Sequence, residues 1–177
     1  DSSTSRGLGD VYKRQVLGAN AAAAGIQSLV SGSGNDSFTA ATTTSFTIDG
    51  GNGTDALTLT TAGSVSDFSK LTSIEKLQLA DGVNTVDLTT SGASQFSTVI
   101  GGSGADSFSE ANLASFTIAG GSGSDTVSLT TSGQIISDAN FTNLGNIEAL
   151  ILTGGNNSVV LGANAAAAGI QSLVSGS

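Results

Sequence analysis

Residues 16–33 and residues 160–177 are the same 18 residues, VLGANAAAAGIQSLVSGS, set 144 positions apart. Inside that superperiod lies a weaker one. SGSGNDSF at 31–38 returns as GGSGADSF at 101–108, and SFTIDGGNGTDALTLT at 45–60 returns as SFTIAGGSGSDTVSLT at 115–130, both 70 positions on. Farther along, DFSKLTSIEKLQL at 67–79 corresponds to NFTNLGNIEALIL at 140–152, with the offset grown to 73. A chain that repeats itself at this length builds stacked supersecondary units, each burying its apolar face against the next, rather than a closed globule. The units read as 31–100 and 101–174, with partial repeats at both ends.

Within a unit, short strand-like runs recur at 37–39, 45–48, 56–60, 76–79, 85–88 and 97–100, punctuated by Gly, Asn, Asp and Ser. Apolar residues alternate with Thr or Ser, as at Phe46 and Ile48, Leu57 and Leu59, Leu77 and Leu79, and Val86 and Leu88. Period 2 places one face of each run inward. Strands this short, joined by tight polar turns and repeating along the chain, predict an all-β fold: an elongated parallel β-solenoid, β-roll-like, made of two units of about 70 residues. A β-sandwich fits the alternation but requires no internal repeat. Stretches 66–71 and 139–144 read as corners of one helical turn, and 19–24 as an alanine-rich corner too short to hold a helix unaided.

Composition removes whole classes of chemistry. The 177 residues include no Cys, His, Pro, Met or Trp, so disulfides, thiol nucleophiles, catalytic triads and zinc sites built on Cys or His are out. The net charge is -9 and the sequence pI near 4.1, which disfavours nucleic-acid backbones and anionic lipid and favours cations. From residue 16 onward there are 12 acidic side chains and two basic ones, Lys70 and Lys76. Nothing approaches an apolar run long enough to insert in a membrane. An enzyme is not expected.

Four segments fit Gly-Gly-x-Gly-x-Asp-x-apolar-x, at 31–39, 50–58, 101–109 and 120–128, the first with Ser in the leading position. Their glycines include Gly32, Gly34, Gly51, Gly53, Gly102, Gly104, Gly121 and Gly123, and their acids are Asp36, Asp55, Asp106 and Asp125. Glycine permits positive φ and close approach of carbonyl oxygens, while Asp supplies the hard anionic oxygen a calcium ion takes. The motifs pair at a spacing of 19, one turn of such a stack, so Asp36 is expected beside Asp55 and Asp106 beside Asp125. Two carboxylates held close favour a cation between them. The plainer reading is four Asx-type turns in which Asp caps nearby N–H groups. At 81–88 and 154–161, GVNTVDL and GNNSVVL look like eroded relatives without the ligand Asp, and no metal is assigned there. Glu75 and Glu148, at equivalent places in the two units, read as corner hydrogen-bond partners rather than an acid-base pair.

The nonapeptide resembles that of the RTX, or haemolysin-type, calcium-binding repeat family. That resemblance implies Ca2+ held between stacked turns by the four Asp carboxylates and the carbonyls of the eight glycines. It departs from the family in one respect. The intervening turns at 40–45 and 110–114 lack the motif, so calcium is expected along one edge only. The wider pattern looks like repeats of large secreted bacterial calcium-binding and surface-layer proteins. By contrast, Ser5 to Gln15 (SRGLGDVYKRQ) looks like the translation of a sequencing-library adapter, and residues 1–15 are expected to be a non-native, disordered leader.

Together these features predict a calcium-stabilised structural or adhesive repeat segment of a large secreted or cell-surface bacterial protein. Its partners would be calcium, the neighbouring repeats of its own chain, and a surface glycan or another surface protein. Two alternatives stay open: a non-catalytic calcium-binding module of a secreted polysaccharide-active or proteolytic enzyme, and a Thr-rich surface for ice or glycan. The last requires outward Thr rows that continue from strand to strand.

Overall fold

The computed structural model describes residues 14–176. Every strand pair in it is parallel. Four sheets result, of seven, six, three and two strands. The seven-stranded sheet takes, in order, Arg14–Leu17, Ser37–Ala40, Ala56–Leu59, Lys76–Gln78, Thr98–Ser103, Thr117–Ser122 and Leu144–Gly145. The six-stranded sheet takes Ser64–Val65, Thr85–Asp87, Ser107–Glu110, Thr126–Leu129, Ala149–Leu152 and Ser172–Ser175 in the same monotonic way. Ser28–Val30, Thr47–Asp49 and Leu71–Thr72 form the three-stranded sheet, and Ile135–Ile136 with Ser158–Val159 the smallest. Each circuit of the chain therefore lays its strands beside those of the circuit before.

Alternation decides which side chains meet between the sheets. Ser37–Ala40, Ala56–Leu59, Ser107–Glu110 and Thr126–Leu129 each bury every second residue. Register then stacks those residues into columns. Phe38, Leu57, Leu77, Val99, Ile118 and Leu144 are successive partners in one sheet. Val65, Val86, Phe108, Val127 and Leu150 are partners in the other. All eleven are buried. At about 25 cal/mol per Å2, a side chain such as Phe38 or Phe108 contributes about 2–3 kcal/mol. Phe68 and Phe96 fill a corner edge-on, with centroids 5.0 Å apart at 81°.

Three local expectations need correction. Gln15 and Arg14, placed in the leader, belong to Arg14–Leu17, paired with Ser37–Ala40; the rest of the leader, 1–13, lies outside the described residues. The alanine-rich stretch is helical in both copies, Ala19–Ala23 and Ala163–Ala168. In the second copy Asp138 supplies what the short segment lacks, accepting the N–H groups of Gly162, Asn164 and Ala165 at 2.8–3.1 Å. Of the two expected helical corners, 139–144 falls largely in the 3-10 segment Asp138–Asn143, whereas 66–71 is not helical. Among the described residues no helix is long and apolar enough to cross a membrane.

Candidate functional site

At several corners the residue just before a strand points its backbone N–H along the stack to a side chain of the next circuit. At the corner leading into the seven-stranded sheet, Asp36 N–H donates to Asp55 Oδ1 at 2.6 Å and Asp55 N–H to Glu75 Oε2 at 2.7 Å. At the corner leading into the six-stranded sheet the ladder is longer. Gly63 N–H donates to Asn84 Oδ1 at 3.1 Å, Asn84 N–H to Asp106 Oδ1 at 2.8 Å, Asp106 N–H to Asp125 Oδ1 at 2.8 Å, and Asp125 N–H to Glu148 Oε2 at 2.7 Å. At a third corner Gln134 N–H donates to Asn157 Oδ1 at 2.8 Å. These side chains satisfy amides that a strand ladder does not reach, which burial would otherwise make costly.

Both Asp pairs predicted from spacing are thus brought together, and all four carboxylates are buried. The expectation of a single decorated edge is not met. Asp36 and Asp55 precede strands of the seven-stranded sheet, Asp106 and Asp125 strands of the six-stranded one. The 70-residue repeat does not contain a whole number of circuits, so the second motif pair opens on a different face. Glu75 and Glu148 are corner hydrogen-bond partners, as read from the sequence. Asn84 and Asn157, passed over because they lack a charge, make the same rung as the aspartates; the signal available was GVN and GNN in register with the motif turns.

The glycines let the turns stack. Gly32 carbonyl accepts Asn52 N–H at 3.0 Å, and Gly34 N–H donates to Asn52 carbonyl at 2.9 Å. In the second unit Gly104 N–H donates to Ser122 carbonyl at 2.8 Å, and Gly102 pairs with Gly121 in register. Gly53 and Gly123 both have φ of 141°, and a Cβ on either would collide with the carbonyl oxygen of Gly34 or Gly104 in the adjacent turn. Gly51 is pressed on the Gly32 carbonyl in the same way.

The two members of each pair are not equivalent. Ser31 Oγ donates to Asp36 Oδ2, and Gly102 N–H to Asp106 Oδ2 at 3.2 Å. Asp55 Oδ2 and Asp125 Oδ2 are buried without a hydrogen-bond partner. Burial pushes both carboxyls above the usual Asp range; the N–H from Asp36 or Asp106 pulls the other way, and neighbouring acids, Glu75, Asp36 and Asp49 for one and Asp106 and Glu148 for the other, push further. Each orphan oxygen shares a cradle with a carbonyl. Asp55 Oδ2 and Ser73 carbonyl converge where a Cβ on Gly50 would lie, and Asp125 Oδ2 and Asn146 carbonyl converge at Gly120. Ser73 and Asn146 hold matching left-handed conformations with φ of 52°, which turns those carbonyls inward.

A buried carboxylate oxygen beside a carbonyl oxygen is the donor chemistry of a calcium site, so the residues fit such an ion in kind. They fall short in number. Among the described residues no three acidic side chains converge on one point, so further ligands would be turn carbonyls or water. Outward Thr rows do not continue across a sheet: Thr39 and Thr58 are partners, but the next in line is Gln78. No protein-family model, no curated protein and no solved structure matches the chain.

Proposed function

We propose that this chain is a stretch of parallel β-solenoid serving as a structural spacer or adhesive stalk in a larger secreted or cell-surface protein, with calcium bound at its corner carboxylates. The observation that carries the structural part is the monotonic parallel order of the two long sheets, in which each circuit buries its inner column against the next. Such a stack would transmit length and stiffness. The calcium part rests on Asp55 Oδ2 and Asp125 Oδ2, buried acceptors without donors, each beside a carbonyl. Asp36, Asp55, Asp106 and Asp125, with the Ser73 and Asn146 carbonyls, would hold calcium, and Ca2+ would supply charge neutralisation at these buried corners. Affinity in the range of extracellular modules, roughly 0.1–1 mM, would leave the chain loose before export and tighten it afterwards.

Asn84 and Asn157 make the Asp test specific, because an amide keeps the rung and removes the charge. Thermal unfolding of the wild type and of the Asp55→Asn, Asp125→Asn double variant, each in calcium, magnesium and chelator, separates the readings. The proposal expects calcium-specific stabilisation that the double variant loses. Equal stability of the wild type in calcium and chelator refutes calcium binding and leaves a metal-free hydrogen-bond ladder in the same stalk.

A further inference from the structure

The six-stranded sheet begins at Ser64–Val65, and the circuit before it passes from Ser37–Ala40 to Thr47–Asp49 through a loop, residues 41–46, with no strand of its own in that sheet. The two-stranded sheet begins at Ile135–Ile136 in the same way, after the loop at 111–116. The two starts are equivalent: Gly63 N–H donates to Asn84 Oδ1 just before one sheet, and Gln134 N–H to Asn157 Oδ1 just before the other. They differ in what occupies the place where the ladder stops. In the second unit the Gln134 side chain is folded into it, Nε2 donating to the carbonyls of Ala111 at 3.4 Å and Thr131 at 3.2 Å. In the first unit Gly63 has no side chain, and a Cβ there would meet nothing within 4 Å. The space is an open cleft of about 210 Å3. Its walls come from residues 42–67, in mid-chain, with circuits stacked before and after them.

Leu59 and Val65 give the cleft an apolar wall. Hydroxyls make up most of the rest, from Thr42 to Thr44 on the loop and from Thr61, Ser64 and Ser66 on the next circuit. Thr43 is only 4% exposed, and Thr42 Oγ1 lies 3.3 Å from Thr44 Oγ1 and 2.9 Å from Ser45 Oγ. Lys70 Nζ donates to the Thr44 carbonyl at 2.8 Å and ties the loop to the circuit after it. A hydroxyl both donates and accepts, so this lining suits a ligand of the same kind. Among the described residues no cation lines the cleft to hold an anion. Asp67, its one acid, is already engaged: Ser69 N–H donates to Oδ1 at 2.9 Å, and Ser69, with the charge of Lys70 adding to it, holds the carboxyl below the usual Asp range.

We propose that this cleft binds one uncharged sugar residue that carries an acetamido group. Gln134 is the guide to what the space accepts, a carboxamide whose N–H reaches backbone carbonyls. An acetamido N–H would take the carbonyl of Thr61, the counterpart of Thr131, and its methyl would lie on Leu59 and Val65. The ring hydroxyls would then meet the Thr42 to Thr44 loop, Ser64 and Ser66. Pockets for drug-sized ligands start at about 300 Å3, so the smaller volume here limits the occupant to a single ring. The site serves the adhesive reading above and rests on the stacked circuits alone, not on calcium.

The test is amide NMR of the full chain in calcium, titrated with N-acetylglucosamine and, as control, with glucose. Amides of 42–44 and 61–66 are expected to shift with a Kd of about 1 mM, as fits a single ring in a shallow site. Glucose, which lacks the acetamido group, is expected to bind about tenfold more weakly or worse. Replacing Ala62 and Gly63 with the Ser-Gly-Gln of 132–134 copies the closed corner of the second unit into the first and should abolish binding, with the sheet amides unmoved. Thr43→Val, which changes one hydroxyl for a methyl, keeps the test open should that graft not fold, and should weaken binding about threefold, part of one hydrogen bond. No shift at these amides with N-acetylglucosamine at about twenty times the expected Kd overturns the inference. Equal binding of glucose, or binding that neither variant alters, overturns it too. Each of these failures leaves the stalk reading intact, since the sheet amides in the same spectra report the stacked circuits independently.

Discussion

Replacing Glu110 with leucine should stabilise the protein, and by an amount that grows with pH. Glu110 ends Ser107–Glu110 with its side chain inward, fully buried, and both carboxyl oxygens lack a hydrogen-bond partner. Its partners in the next two strands are Leu129 and Leu152. Burial alone pushes its carboxyl from 4.5 up to about 8. With the folded-state value raised, the folded chain binds the proton more tightly than the unfolded chain between those two values. The stabilisation is therefore complete below about pH 4.5 and is lost as pH rises through about 8, at about 1.4 kcal/mol per pH unit, or about 3 kcal/mol by pH 7. Urea unfolding at intervals across that window should show the wild type weakening relative to Glu110→Leu, whose profile lacks this component. Glu110→Gln should share the flatter profile yet lie below leucine by about 1–3 kcal/mol, because an amide there leaves polar atoms unpaired. Parallel profiles for wild type and Glu110→Leu would refute the reasoning.

Three further outcomes follow from the packing. Gly123→Ala should cost about 2 kcal/mol or more in chemical denaturation, since φ of 141° and the Gly104 carbonyl both exclude a Cβ. Phe108→Ala should cost about 3–5 kcal/mol, as the ring is wholly buried between Val86 and Val127. Asp138→Ala should speed amide exchange across Ala163–Ala168 while leaving the sheets protected. The N–H groups of Ala165, Asn164 and Gly162 hold the Asp138 carboxyl below the usual range, so this cap works above about pH 4 and fades only as pH falls through the lowered value.

Much of this was legible in the sequence because period 2 is a strong signal even in strands of three or four residues. Leu57 and Leu59, or Val86 and Leu88, alternate with polar residues and do point inward. The spacing of 19 correctly set Asp36 beside Asp55, since two turns of equal length must stack in register. Sequence could not reveal which face each motif opens on, because circuits differ in length: Ser37 to Ala56 spans 19 residues but Ile118 to Leu144 spans 26. Corner insertions accumulate without disturbing any strand's alternation. The helix Ala163–Ala168 was hidden for a related reason, its cap being Asp138, more than twenty residues earlier and one circuit below.

The rungs at Asn84 and Asn157 bear on why aspartate occupies the motif turns at all. An asparagine at the corner accepts the incoming N–H with Oδ1 and spends its amide on nearby carbonyls: Asn84 Nδ2 on Ala80 at 2.9 Å, Asn157 Nδ2 on Thr153 at 2.8 Å. No charge is buried and no oxygen is stranded. Aspartate makes the same rung at Asp55 and Asp125 but leaves Oδ2 alone in a buried cradle with acids around it. As a hydrogen-bond device it is the worse choice, by the cost of a desolvated carboxylate. Without a cation, Asp55→Asn and Asp125→Asn should therefore hold or raise stability; with a cation bound, the same changes should lower it. The sign of that difference, read in calcium and in chelator, tells whether aspartate is there for the ladder or for the ion.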